Sequence, residues 1–412
     1  MGGLMAGGWL VLVESNTTGS GRQFCEAARE IGLRPVVLVA DPDRYPYLRE
    51  TGIEYRVTDT RDPEAVLDVC RQLPGPPIAG VTSSSEYFIA TAAGIAARLE
   101  LQAPAAAAIA ACRDKARQRE LLAGAHVAVP DHVAVTTAGQ AVAAARELGP
   151  PVVVKPASGS GSVGVRLCAT LAEVADAAAG VLMAGVNERG MCVAARALVE
   201  QYVSGDEYSV ETFGGQVIGV TRKHLGPAPF FVEIGHDFPA PLPQTRRRAL
   251  ADATGSALAA LGLGWGAAHT ELRWGPDGPA VIEVNPRLAG GMIPALVCEA
   301  TGIDLVGCCV ALAAGHPVPL TGTRTGGAAI RFVVAERSGR VAAIAGADRA
   351  ARMPGIKAVT LAVAEGDEVP AVSNSFQDRL GYVLAGGADV TEAVDRAEAA
   401  LATVSVRIDA RA

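Results

Sequence analysis

Apolar and polar positions follow two rhythms along the chain. In the first hundred residues, short apolar runs alternate with longer amphipathic stretches. Trp9–Val13 reads as a strand, and Thr17–Gly21 turns the chain into a helix reaching about Gly32. Pro35–Ala40 is a second strand, Pro63–Leu73 a second helix, Ile78–Val81 a third strand and Glu86–Leu99 a third helix. This order predicts a parallel sheet with right-handed crossovers. The strands end in the polar turns N-T-T-G-S-G, D-P-D-R and T-S-S-S-E, and open α/β sheets bind ligands at such carboxyl ends.

Past Pro104 the rhythm changes. A charged helix spans Arg113–Leu122, followed by a short strand at Val133–Val135, a helix near Ala138–Leu148, strands at Pro151–Lys155 and around Gly164–Leu167, and a helix from Leu171. Strand patterns recur at Ala197–Tyr202, Glu207–Thr212 and Gln216–Thr221. A helix over Gln244–Leu261 precedes a hairpin of Gly266–Trp274 with Ala280–Asn285. One helix is predicted over Pro294–Ala314, then a strand-rich tail from Ala328 closing with a helix at Val390–Leu401. No repeat or low-complexity linker separates the tail, which is expected to pack on the rest.

Composition narrows the function. A chain of 412 residues exceeds one ordinary domain. The 36 Lys and Arg against 43 Asp and Glu give a net charge of −7, which argues against broad electrostatic binding to nucleic acid or an anionic membrane. Aromatics are 4 %, too few for a base-stacking platform. The longest apolar runs are too short to span a bilayer, and no basic region or clear cleavage site accompanies Trp9–Val13. The eight cysteines form no C-x-x-C pair and the six histidines no zinc signature. A soluble cytoplasmic protein is expected.

Four segments carry candidate chemistry. Gly19-Ser20-Gly21 followed by Asp41 imitates part of a dinucleotide fingerprint, but Phe24 stands where its third glycine belongs; a plain turn is the alternative. The stretch V-V-V-K-P-A-S-G-S-G-S-V-G-V (Val152–Val165) delivers Lys155 from a strand into a loop of small residues, Ser158, Gly159, Ser160, Gly161, Ser162, Val163 and Gly164. Its unobstructed backbone N–H groups can wrap polyphosphate oxygens beside the lysine charge. Val165-Arg166 occupy the Lys-[Ser/Thr] positions of a P-loop and the lysine precedes the loop, so it is not one.

Gly275-Pro276-Asp277-Gly278 is turn chemistry between two alternating runs. A hairpin centred on Asp277 places Glu271 across from Glu283 and His269 across from Asn285, all four on one face. Two carboxylates about 5 Å apart repel by roughly 3 kcal/mol at an effective dielectric near 20. A cation must compensate, and oxygen ligands beside phosphates suit Mg²⁺. Arg287, in E-V-N-P-R-L-A-G-G, is set to grip a carboxylate or phosphoryl group. In L-V-E-Q-Y-V-S-G-D-E-Y-S-V-E (Leu198–Glu211), the connector Glu200, Gln201, Tyr202, Val203 can offer backbone groups to a purine, and Glu207 can take ribose hydroxyls.

With these residues assembled, the chain resembles the ATP-grasp superfamily of carboxylate–amine ligases over essentially its whole length. R-D-K at Arg113–Lys115 is similar to the family's first nucleotide lysine. F-V-E-I-G-H-D-F-P-A (Phe231–Ala240), downstream of Thr221-Arg222-Lys223, is similar to bacterial L-amino-acid ligases, the dipeptide-forming enzymes of the bacilysin-synthetase type. The resemblance implies an N-terminal parallel α/β domain at 1–110, a mobile lid subdomain at 111–196, a large catalytic subdomain at 197–320 and a C-terminal subdomain at 321–412. It implies that Lys115 and Lys155 bind ATP phosphates under the loop Ser158–Gly164, that Glu200 and Val203 meet adenine, and that Glu207 meets ribose. Glu271, Glu283 and Asn285 would hold Mg²⁺, two ions, with Mn²⁺ able to replace them. Glu233 and His236 would line the amino-acid site, either one serving as base, and Arg287 would face the activated carboxylate. Where relatives often carry a bulky aromatic residue, this chain has Gly290-Gly291, which suggests a roomier second pocket. Amino acids are the expected partners and a homodimer the expected assembly. The rival readings are a side-chain carboxylate ligase, a biotin-carboxylase-like carboxylation, and an ATP-binding protein without turnover.

Overall fold

The computed structural model describes residues 7–16, 20–187, 190–318, 320–371 and 375–409. Its N-terminal layer is a parallel sheet ordered Glu54–Val57, Arg34–Val39, Trp9–Val13, Ile78–Thr82. Every residue of Trp9–Val13 is buried, as an inner parallel strand covered on both faces requires. The edge strand Glu54–Val57 escaped the sequence pattern because its E-Y-R-V side chains are only partly buried or exposed. The first helix is Ser20–Glu30. The expected turn residues Thr17, Thr18 and Gly19, including the first glycine of the dinucleotide fragment, lie outside the described residues.

A small antiparallel sheet follows, ordered His132–Val135, Ala197–Gln201, Val152–Pro156, Arg166–Cys168. Helices Ala138–Leu148 and Leu171–Met183 share its apolar core through Ala141, Ala145, Val174 and Ala178. The second helix starts on a capping box of Thr170 and Glu173, which satisfies two otherwise unpaired backbone donors.

The third layer is an eight-stranded antiparallel sheet. Gly278–Asn285, Ala267–Gly275, Glu207–Phe213, Gln216–Leu225 and Glu233–Phe238 form its first five strands, continued without a break by Gly327–Val334, Arg379–Gly387 and Ile356–Leu361. The C-terminal region therefore extends the central sheet, with helix Val390–Leu401 packed on it through Ala393 and Ala397. A three-stranded sheet of Glu368–Val369, Gly339–Ala345 and Ser405–Asp409 lies beside it. We retain the division at 110, 196 and 320 as a proposal; hydrogen-bonded sheets run across its last two boundaries.

The hairpin pairs His269 with Asn285 and Glu271 with Glu283, as expected, but by another route. Its turn holds only Pro276 and Asp277, since Gly275 pairs Gly278, and a one-residue irregularity between Glu271/Leu272 restores the expected partners. Two expected helices are corrected. Pro294–Ala314 is instead Ile293–Thr301 and Leu305–Ala313, bent by 102°. Gly302, at φ 79°, ends the first and the Asp304 side chain caps the second. Arg113–Leu122 is likewise split, because Asp114 caps a new helix, Lys115–Gly124, by accepting from the N–H groups of Ala116 and Arg117. No single helix among the described residues is long and apolar enough to cross a membrane.

Candidate active site

The three layers face one cavity of about 1100 Å³. Lys115, Lys155, Gly159, Ser160, Gly161, Ser162, Val163, Glu200, Gln201, Tyr202, Val203, Glu207, Glu233, Glu271, Glu283, Asn285 and Arg287 all line it. Three expected residues do not: Ser158, Gly164 and His236.

The nucleotide end is built on the small sheet. Strand Val152–Pro156 carries Lys155, whose Nζ lies 2.5 Å from Glu200 Oε2 on the neighbouring strand. The other Glu200 oxygen accepts from Arg119 Nε at 2.8 Å. Thus the Glu200 carboxylate holds two cations and its backbone, not its side chain, is left for a base. Burial pulls the Lys155 ammonium down to about 8; Glu200 opposes this and Arg119 reinforces it. Lys115, at the first turn of its helix, donates to the Gly159 carbonyl at 2.8 Å and pairs with Glu283 Oε1 at 2.9 Å. In the loop, Gly159, Gly161, Ser162 and Gly164 have positive φ. Gly161 is required by close approach: a Cβ there would sit 2.3 Å from the Phe376 ring.

The large sheet carries a buried hub. Lys223 Nζ lies 2.9 Å from Glu207, 2.6 Å from Glu233 and 3.0 Å from Glu271. Burial disfavours its charge, but the three carboxylates outweigh burial and raise the ammonium well above its ordinary value. Glu271 also meets His269 Nε2 at 3.1 Å, and His269 Nδ1 meets Glu211 at 2.9 Å. Although burial opposes ionisation of Glu271, Lys223 and His269 hold its carboxyl well below the usual range.

Among the described residues, no three His, Cys, Asp or Glu side chains group as a metal site. The hairpin instead offers two paired carboxylates and the Asn285 amide, all lining the cavity. That oxygen set fits Mg²⁺, which takes one or two protein carboxylates and completes its shell with water and phosphate.

At the other end, Glu233 Oε2 accepts from Arg379 Nη2 at 3.0 Å and faces His236 Nε2 at 3.1 Å. Burial opposes ionisation here too, yet Lys223, His236 and Arg379 keep the Glu233 carboxyl far below its ordinary value. His236 is fully buried behind Glu233, its Nδ1 facing the Gly291 carbonyl at 3.0 Å. Both ring nitrogens face acceptors, so neither is open to the cavity. A Cβ on Gly291 would lie 2.4 Å from that ring, so His236 fills the space that the glycine vacates.

Arg287 does not stand free. Its Nε donates to Glu86 Oε2 at 2.7 Å, and Arg113 approaches the same oxygen at 3.2 Å. Burial opposes ionisation of Glu86, but Arg287 and Arg113 hold it down at about 2, and Ser160 of the glycine-rich loop adds a hydrogen bond. Glu86, Lys223 and Arg379 were missed as site residues. The T-S-S-S-E turn marked the place of Glu86, and Lys223 stood in the Thr221-Arg222-Lys223 stretch upstream of the ligase-like motif without a role of its own; Arg379 had no local signal.

Comparison with known proteins adds an independent line. An ATP-grasp domain model matches residues 148–295, and an L-amino acid ligase C-terminal domain 2 model matches 331–409. An uncharacterized protein, y4rH, of Sinorhizobium fredii (strain NBRC 101917 / NGR234) is 41 % identical over 378 residues, 91 % of this chain and 78 % of that protein. The alanine–anticapsin ligase of Bacillus amyloliquefaciens is 29 % identical over 246 residues, 55 % of this chain and 52 % of that protein; the chain thus spans about half of it. An L-amino acid ligase from Bacillus licheniformis shares the fold, with a TM-score of 0.79 at 23 % identity over 98 % of this chain and 99 % of that one.

Proposed function

The chain belongs to the ATP-grasp ligase family and carries the L-amino acid ligase C-terminal domain; from that premise we propose that it joins an amino-acid carboxylate to the amine of a second amino acid, forming a dipeptide or amide with release of ADP and phosphate. The observation that carries the reading is the one cavity on which the glycine-rich loop, two lysines, the hairpin acids and the polar end at Glu233 and Arg379 converge.

A carboxylate is a poor electrophile because oxide does not leave. A carboxylate oxygen attacks the γ-phosphorus and ADP departs; the amine nitrogen then attacks the acyl carbon, and phosphate leaves with that oxygen, the proton lost by the nitrogen passing to the departing phosphate or to solvent. Lys115, Lys155 and the loop N–H groups would neutralise and align the phosphates, the loop excluding water from the acyl phosphate. Mg²⁺ held by Glu271, Glu283 and Asn285 would supply further charge neutralisation; two ions, with Mn²⁺ as substitute, remain our proposal. The backbone of Glu200–Val203 is assigned to adenine and Glu207 to ribose. Arg287 is assigned to the activated carboxylate, exchanging Glu86 for it. Glu233 is assigned to holding the amine substrate, with His236 behind it fixing the orientation of its carboxylate. The strong ionisation of Glu233 and the engaged nitrogens of His236 argue against either as the sole proton acceptor. A cytoplasmic location and a homodimer are part of the same proposal, for fractionation and light scattering to examine.

The test is phosphate release from Mg-ATP across an array of amino-acid pairs with product masses. A pair-dependent signal with a mass of both acids minus water is expected. ADP formation without such a product in any pair would sink the reading.

A further inference from the structure

A dipeptide ligase handles two carboxylates. One is activated; the other, on the amine substrate, survives into the product and must be held apart from the phosphates. Burying it requires a charged hydrogen-bonding partner. Six guanidinium or ammonium groups line the cavity among the described residues: Lys115, Lys155, Arg273, Arg287, Lys357 and Arg379. Lys115 and Lys155 stand at the glycine-rich loop. Arg273 packs on Tyr202 and donates to the Gly205 carbonyl on the nucleotide side. Arg287 is already assigned to the carboxylate being activated, and Lys357 is nearly half exposed and paired with Glu299.

Resting on the ligase reading above, we infer that Arg379 binds the retained carboxylate of the amine substrate. Its side chain is nine-tenths buried. Nε donates to the Glu233 carbonyl at 2.9 Å and Nη2 to the Glu233 carboxylate at 3.0 Å, while Nη1 has no partner among the described residues. Phe332 covers one face of the guanidinium, its ring centroid 3.8 Å from the central carbon, which fixes its plane, and Arg379 lines the cavity. The location also fits. Glu233 shares the Lys223 ammonium with Glu271, so Arg379 lies two side chains from the hairpin acids. The surviving carboxylate lies one residue from the reacting carbonyl, and consecutive Cα atoms are about 3.8 Å apart. Arg379 follows directly on Phe376–Asp378, whose Phe376 packs against Gly161. One short segment thus meets both the phosphate loop and the amine end.

The experiment compares each amine amino acid with its carboxamide, as acceptors, in the wild-type protein, Arg379→Met and Arg379→Gln. Stabilisation by Mg-ATP in a thermal melt is the folding control, and Arg379→Gln carries the test if the methionine variant does not fold. The wild type is expected to prefer the acid, through KM, by on the order of 10- to 100-fold, the value of a charge-assisted hydrogen bond. In the variants KM rises far more for the acid than for the amide, and the preference collapses toward one. Dipeptide formation with an unchanged acid-to-amide preference would overturn the role of Arg379 and leave the ligase reading standing. No product from any pair with the wild type would overturn both.

Discussion

Lys155 in the small sheet and Lys223 in the large one are both buried beside the same cavity, yet their surroundings differ. Lys155 has one carboxylate, Glu200, which Arg119 shares; Lys223 has three, Glu207, Glu233 and Glu271, on three other strands of the large sheet. The first ammonium is under-compensated and drawn down to about 8. The second is over-compensated and driven up. A lysine short of anions gains from an incoming phosphate, whereas one surrounded by them organises the acids that hold everything else. The small sheet is therefore built to receive charge, and the large sheet to position it.

The largest effect expected from this contrast is at Glu283, which faces Lys115 on one side and its hairpin partner Glu271 on the other. Glu283→Gln should abolish ATP turnover, a loss on the order of 10²-fold or more, while far-UV and near-UV spectra stay native. Full activity in that variant would remove the hairpin acids from the phosphate chemistry.

Next in size is stability. Lys223→Met leaves three buried carboxylates without their common cation and should cost about 3–5 kcal/mol in urea unfolding. Lys155→Met leaves Glu200 still paired with Arg119, so its cost should be clearly smaller, its main defect being weaker binding of Mg-ATP. Equal losses of stability would break the contrast.

The smallest effect is in pH. The folded protein holds Lys155 near 8, below its ordinary 10.5, so between those values the unfolded chain binds more protons. This residue's contribution to stability therefore rises with pH across that window and is absent in Lys155→Met. Phosphates would raise the ammonium again, so Mg-ATP binding should take up protons above about pH 8 and weaken as pH increases. Calorimetry in buffers of different ionisation enthalpy measures this directly; binding with no proton uptake would speak against contact between Lys155 and the phosphates.

What was legible in the sequence was local. The glycine-rich loop, the strand that delivers Lys155 and the hairpin acids are written in contiguous residues, with turn chemistry and period-2 alternation to locate them. Even there, the Glu271–Glu283 pairing came out right through a two-residue turn plus an irregularity. The rest is tertiary. Arg287 meets Glu86 across 201 positions and Arg379 meets Glu233 across 146, distances at which no spacing rule operates. The break at Gly302–Asp304 was signalled by a glycine and a capping aspartate, but the apolar run around them reads as one helix. His236 looked like a site residue by its neighbours in sequence; burial places it one side chain back from the cavity.

The central claim is that a carboxylate is phosphorylated before the amine attacks. The most direct measurement is to supply the activated amino acid with ¹⁸O in its carboxylate, together with Mg-ATP and the amine substrate, and to weigh the released phosphate. One ¹⁸O atom in each phosphate formed with product is the predicted result. Product formed alongside phosphate free of label would contradict the account.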